Sequence, residues 1–332
     1  MAAEDSPLHS APVRIAVVGL GNVGSTFAYA LLLSGLAAEI VLIDTNRSKA
    51  EGEAMDLNHT VPFAHPTRIW AGGYEDCAGA AITVVAAGAN QKPGGETRLA
   101  LLQRNADIFT QIIPAVVAHN PHGLLVIATN PVDVLTYTSY KLSGFPAQRV
   151  IGSGTILDTA RFRYLLSEYF GVDARSVHAY IIGEHGDSEV PVWSLANIAG
   201  VRLRDFCAVS GCAYDAHAME EIFQSTRDAA YHIIERKGAT YYAVAAGILR
   251  IVEAILRNQK TVLSVSSLVT DYYGISDICL SLPSVVGRGG IEKVLHVELD
   301  EAEVRNLKHS ANVLKDTIGR LRLAQEGTSK AS

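Results

Sequence analysis

The sequence is short of charge, has no basic surplus, no long apolar run and only four cysteines, and each shortage excludes something. Charged residues make up 19% of the 332 positions while apolar ones make up 48%, against roughly 25% charged in an average soluble chain. An intrinsically disordered chain has the opposite balance. The shortage of charge points to a chain that hides much of its surface, in a large core or against copies of itself. Lys and Arg number 28 against 34 Asp and Glu, a net charge of −6. The clustered positive charge that nucleic acids and anionic membranes require is therefore missing, and neither is expected as a partner. No stretch of about 18 uninterrupted apolar residues occurs, so no transmembrane helix is expected. The opening MAAEDSPLHSAP has acids where a secretory leader has bases, and it lacks an apolar core. Residues 1–12 and 326–332 are expected as loose tails and the protein as cytoplasmic. Cys77, Cys207, Cys212 and Cys279 match no metal or redox spacing; they are expected as reduced thiols, with no metal bound. The 28 glycines show no period of three, which excludes a collagen.

No repeat, low-complexity tract or linker stands out, and the length suggests about two domains at roughly 100–200 residues each. VRIAVV (13–18), EIVLID (39–44), AITVVAA (81–87) and LLVIAT (124–129) are short, nearly continuous apolar runs, as in strands covered on both faces. Segments 22–34, 48–57 and 99–118 between them suit helices. Such alternation predicts an α/β fold with a parallel, doubly wound sheet over 13–151. From residue 151 the pattern changes to helical stretches at 157–170, 214–236 and 239–257, mixed with strand-like runs at 262–269, 278–286 and 291–297. That predicts an α+β substrate domain over 152–325. A capping box of Asp300 and Glu303 opens the last helix, and Val304, Leu307, Ala311, Leu314, Ile318 and Leu321 form its core-facing stripe.

Gly19-Leu20-Gly21-Asn22-Val23-Gly24 is a GxGxxG. It follows a strand, opens a helix, and precedes by twenty residues Asp44, at the end of the next strand. That context is what a dinucleotide-binding Rossmann unit requires. Gly19 permits the tight turn, Gly21 the approach of the pyrophosphate and Gly24 close helix–strand packing, while the helix N-terminus attracts the phosphates. Asp44 would accept hydrogen bonds from ribose hydroxyls and repel a 2′-phosphate, so NAD is expected over NADP. Gly88-Ala89, at the carboxyl end of the third of these strands, is a second ligand-facing stretch.

Gly183-Glu184-His185-Gly186-Asp187 places a histidine in a small, polar segment, suited to proton exchange near neutral pH. Asp158 and Arg161, three apart, share one helix face and can serve one site. An aspartate orients an imidazole, and an arginine grips a carboxylate through two parallel hydrogen bonds. Segment 89–98 (ANQKPGGETR) is a polar loop able to close over a substrate. Its Arg98 could face a developing alkoxide.

Together these stretches resemble the L-lactate dehydrogenases of the lactate/malate dehydrogenase family, in their bacterial allosteric form. The resemblance rests on GLGNVGS, AGANQKPGGETR, ATNPVDV, GSGTILDTARFR, GEHGDSEVPVWS, KGATYYAVA and SLPSVVGRGGIEKVL and runs from Val13 to Leu321. It implies that His185 is the acid/base group and Asp158 its orienting partner. Arg161 would clamp the substrate carboxylate, and Arg98 would polarise the carbonyl. Asn130 would hydrogen-bond the substrate oxygen and Thr240 line the pocket. Gly19, Gly21, Asn22, Val23, Gly24, Asp44, Gly88 and Ala89 would form the NAD site, with Asn130 and Val244 flanking the nicotinamide. Gln91 stands where malate-specific relatives place an arginine for a second carboxylate. A neutral amide cannot offset a second buried negative charge, so pyruvate and L-lactate are expected as substrates. Relatives carry one glycine fewer in this loop, and here Gln91 lies seven residues before Arg98 rather than six.

The resemblance further implies that Arg163 and His178 bind fructose 1,6-bisphosphate as an activator, more strongly at mildly acidic pH where a histidine is charged. It also implies a homotetramer working in glycolytic fermentation. The alternatives are a malate or other 2-hydroxy-acid dehydrogenase, or a non-catalytic NAD-binding structural protein, which would not need His185, Asp158, Arg161 and Arg98 together.

Overall fold

The computed structural model describes residues 12–89, 97–211 and 214–322; both expected tails fall largely outside them. The first half follows the alternation of apolar runs and helical patterns. In order it contains β1 (Arg14–Val18), α1 (Asn22–Ser34), β2 (Glu39–Ile43), α2 (Arg47–Thr60), β3 (Arg68–Ala71), β4 (Ile82–Val85), α3 (Arg98–His119), β5 (Leu124–Ile127), α4 (Val132–Ser143) and β6 (Val150–Gly152). The second half contains α5 (Ile156–Phe170), β7 (Val177–His178), β8 (Ile181–Ile182), β9 (Val190–Pro191), β10 (Asn197–Ile198), β11 (Val201–Arg202), α6 (Leu203–Ser210), α7 (Ala216–Lys237), α8 (Tyr242–Leu256), β12 (Thr261–Val269), β13 (Ile278–Gly287), β14 (Gly290–Val294) and α9 (Glu301–Gly319).

The strands β3-β2-β1-β4-β5-β6 lie side by side in that order and pair in parallel. This is the doubly wound Rossmann order, whose reversal beside β1 leaves a crevice at the strands' carboxyl ends. The same sheet continues into the second half. β12 pairs antiparallel with β6 at Ser266–Gly152, and β13 and β14 extend it to nine strands. Helices α1 and α8 pack on one face with Phe27, Leu31, Ile248 and Val252 fully buried. On the other face α3 and α4 bury Phe109, Ile113 and Leu135. The terminal helix has the expected capping box, Asp300 accepting from Glu303 N and Glu303 from Asp300 N. Its Leu307, Ala311 and Leu314 are buried against Leu280 and Leu282.

Three differences from the sequence reading have physical causes. Helix α4 has no polar face to betray it, because Thr136, Thr138 and Ser139 are buried. Each hydroxyl returns its hydrogen bond to the carbonyl four residues back, so the polar groups are satisfied inside. Strand β3 is an edge strand whose Trp70 is covered by the guanidinium groups of Arg14 and Arg68, 5.3 and 4.7 Å from the ring. The run 239–257 becomes helical only at Tyr242. Gly238, at φ +82°, ends α7, and a corner holding Thr240 separates the two helices. Cys77 and Cys279 are buried free thiols, but Cys207 is disulfide-bonded, contrary to the expectation of four reduced cysteines. Among the described residues no helix is long and apolar enough to cross a membrane.

Candidate active site

The dinucleotide side of the crevice is set by three glycines with different duties. Gly19 has φ +92°, and a Cβ there would lie 2.3 Å from Ala87 Cα; a Cβ on Gly24 would lie 1.9 Å from Gly19 O. Those two positions are sterically closed to side chains. Gly21 meets nothing within 4 Å, so its face is open, at the start of α1 where no side chain caps the helix. Uncapped N–H groups beside an open glycine are the cradle a pyrophosphate fills. Asn22 is exposed and Val23 half-buried beside it. Asp44 is fixed at the end of β2 by accepting from Leu20 N and Asn46 N, both at 2.8 Å. The residues present thus fit the NAD expected from the sequence.

Asn105, on α3, was not singled out in the sequence. It is buried; its Oδ1 accepts from Ala89 N at 2.8 Å and its Nδ2 donates to Asn130 O at 3.1 Å. It thereby ties the Gly88-Ala89 stretch to the turn that begins with Asn130. Gly88 itself packs so closely that a Cβ would fall 2.5 Å from Thr129 Cγ2. Gln91 lies outside the described residues. Of Arg98, only its place at the first position of α3 is described, after the capping residue Thr97, which accepts from Ala100 N.

The side that carries Asp158 and His185 is built by pinning α5 to the sheet. Thr155 N donates to Ser281 Oγ, Thr155 Oγ1 donates to Ile181 O, and Ile181 N donates to Thr159 Oγ1. These bonds hold the first turn of α5, and with it Asp158, against β8 and β13. The turn after β8 is pinned equally firmly. Gly183 bridges Ser281 in both directions at 2.9 Å, Glu184 N donates to Ser310 Oγ, and His185 N donates to Asp133 Oδ2 at 2.7 Å.

Two fixed elements therefore bring His185 Nδ1 to 2.5 Å from Asp158 Oδ2, while Asp158 Oδ1 accepts from Arg161 Nη1 at 3.1 Å. The Asp158 side chain is 3% exposed, that of Arg161 13% and that of His185 23%. Burial alone would lower the imidazole's proton affinity. The charge and hydrogen bond of Asp158 outweigh it and raise His185 to about 9. Asp158 moves the other way: burial would raise it, but protonated His185 and Arg161 hold it below the ordinary carboxylate range. The arrangement can keep a proton on His185 at neutral pH, leaving Nε2 as the nitrogen not bonded to Asp158.

Two acids of this cluster were missed. Asp133, on α4, is buried, and burial raises it to about 6 in spite of the hydrogen bonds it receives. It lies within ATNPVDV, but a polar residue in an apolar run carries no sign of its direction. Glu189 is buried just after the GEHGD turn, and only its position before the apolar VPV run could have marked it. Thr240 is half-buried at the α7–α8 corner, and Val244, also half-buried, packs on the core beneath α1. The corner is stapled by the Lys237 ammonium, 3.6 and 4.1 Å from the Tyr241 and Tyr242 rings. Arg163 and His178 are not part of the cluster. Arg163 Nε donates to Ala179 O at 2.8 Å, next in sequence to the exposed His178, and the guanidinium stacks on Tyr180. No group of metal-ligating side chains gathers among the described residues.

Residues 13–152 match the family model of the lactate/malate dehydrogenase NAD binding domain, and residues 155–322 that of the lactate/malate dehydrogenase alpha/beta C-terminal domain. The chain is 56% identical over 305 residues to L-lactate dehydrogenase of Acetivibrio thermocellus, covering 92% of this chain and 96% of that one. It is 52% identical to L-lactate dehydrogenase 1 of Clostridium acetobutylicum, covering 92% and 97%. Among solved structures, the minor L-lactate dehydrogenase of Enterococcus mundtii superposes with a TM-score of 0.90 at 41% identity, covering 94% and 99%.

Because the Gly24 position is closed by Gly19 O, Gly24→Ala should displace the phosphate-facing turn. NADH affinity, read by fluorescence titration, should fall about tenfold or more, a loss of about 1.4 kcal/mol; unchanged affinity would contradict the assignment of this turn.

Proposed function

The chain belongs to the lactate/malate dehydrogenase family and is an NAD-dependent oxidoreductase, and from that premise we propose that it interconverts pyruvate and L-lactate. The observation that carries the reading is the single carboxylate of Asp158, which holds both a proton-bearing imidazole and a guanidinium. NAD, when bound, supplies or accepts the hydride. Arg161 receives the substrate carboxylate through paired hydrogen bonds. His185 Nε2 gives its proton to the carbonyl oxygen in reduction and takes it back in oxidation. Asp158 orients the ring and stabilises its charged form. Arg98 and Asn130 face the same substrate oxygen, Thr240 lines the pocket, and Gln91 meets the substrate's methyl end. Gly19, Gly21, Asn22, Val23, Gly24, Asp44, Gly88 and Ala89 hold the dinucleotide, and Asn130 and Val244 flank its nicotinamide. The division of labour follows a boundary near 151–152, with cofactor before it and substrate groups after it. Tetrameric assembly and cytoplasmic location complete the proposal. The low overall charge and the exposed Met55, Phe63 and Tyr242 support contact between subunits.

A second, regulatory reading has its own support. Arg163 lines a cleft with Arg175 and Arg250 between α5, α8 and β12, and its Nε–Ala179 bond sets it beside the strand carrying His178. Fructose 1,6-bisphosphate, with two phosphates, suits such a set of cations. Its addition should lower the KM for pyruvate, and superimposable saturation curves would reject it.

Two further outcomes are expected in a spectrophotometric NADH assay. Pyruvate should give a higher kcat/KM than oxaloacetate, with Gln91→Arg moving the preference toward oxaloacetate; the reverse order in the parent enzyme would overturn the substrate assignment. Reduction needs the protonated imidazole, so pyruvate turnover should hold through neutral pH and decline as pH rises through about 9. Asp158→Asn removes the group that raises His185, so that decline should move to lower pH while kcat drops roughly 10²–10⁴-fold.

A further inference from the structure

Glu189 is a buried acid for which the reaction as described has no use. Its N–H donates to Gly186 O at 3.1 Å, closing the turn that carries His185. The residue is only 7% exposed. Its Oε1 finds no hydrogen-bond partner. The charged groups facing it come from three elements: Asp158 and Arg161 on α5, His185 on its own turn, and Arg227 on α7. Beyond His185 lie Asp133 of α4 and Glu184, whose carboxylate accepts from Ser188 Oγ.

An unpartnered carboxylate in such a place is costly, and two adjacent carboxylates do not both ionise cheaply. Asp158 is committed to its charge by His185 and Arg161. The proton therefore stays on the other acid. We propose that Glu189 is a charge-setting residue, carried as a neutral carboxylic acid in the working enzyme, and that its ionisation sets the alkaline limit of substrate-carboxylate binding. Neutral Glu189 adds no further negative charge around the Arg161 guanidinium, which pairs with Asp158 and can still attract an incoming anion. Ionised Glu189 adds a second negative charge facing Asp158 and Arg161, repelling the substrate where it must dock. Burial and the negative charge of Asp158 push Glu189 up to about 9, against the pull of His185, Arg161 and Arg227, which places the limit in an accessible range.

The inference rests on the proposed lactate chemistry, and two readouts keep them apart. In lactate oxidation the productive imidazole is neutral, so rising pH does not remove the proton acceptor. The KM for L-lactate of the parent enzyme should nevertheless climb about tenfold per pH unit above the Glu189 transition, whereas Glu189→Gln should stay nearly flat to pH 10. Independently of turnover, a pH-difference infrared spectrum of the parent protein should lose a carboxylic-acid carbonyl band as pH passes about 9, a change absent from Glu189→Gln. Asp133, at about 6, has already ionised by then and does not contribute. An equal KM rise in both proteins, or the same infrared change in the variant, would overturn the proposal. Failure of the parent enzyme to turn over lactate while the infrared change is seen would instead overturn the substrate assignment and support the neutral acid.

Discussion

The buried carboxylate of Asp158 is the constraint to which the rest of the site is fitted. It stands in the first turn of α5, where the helix dipole favours a negative charge, and its two oxygens are divided between His185 and Arg161. Removing it would leave two cations without their common counterion, which is far more damaging than losing one surface pair. Everything around it reads as support. Thr155 and Thr159 lock the helix to the sheet, Ser281 and Ser310 lock the histidine turn, and Asp133 holds the His185 backbone. Small hydroxyls carry most of these bonds, so the scaffold is polar yet stays close-packed.

The Rossmann half was legible because its signals are local. Continuous apolar strands and a glycine triplet at fixed spacing encode their own geometry, and Gly19 and Gly24 prove to be sterically forced rather than merely permissive. Asp158, Arg161 and His185 could be singled out by type and spacing, and the structure brings these three into contact. Asn105, Asp133 and Glu189 could not. Asn105 and Asp133 bond to partners distant in sequence, the charges facing Glu189 lie mostly on other elements, and a buried polar side chain in an apolar stretch leaves no periodic trace. Helix α4 was missed for the same reason. Its polar residues are inward, so it has no contrast between faces. The disulfide at Cys207 likewise has no counterpart in the spacing rules that argued for reduced thiols.

The acids of the site show how environment separates groups of one chemistry. Asp158 is driven down by two cations, Asp133 is raised to about 6 by burial offset with hydrogen bonds, and Glu189 is raised further, to about 9, because the negative charge of Asp158 adds to its burial. Such a spread is how one pocket holds fixed charge and exchangeable protons together.

The pairing of β6 with β12 through Gly152 and Ser266 carries a mechanical consequence. A protein whose cofactor half and substrate half were separate bodies could clamp its ligands by swinging one against the other about a hinge. Here the backbone ladder crosses the junction, and such a rotation would shear hydrogen bonds in the middle of a nine-stranded sheet. The strands act as a common chassis, and whatever adjustment accompanies a catalytic cycle is left to the connections and helix ends at its rim.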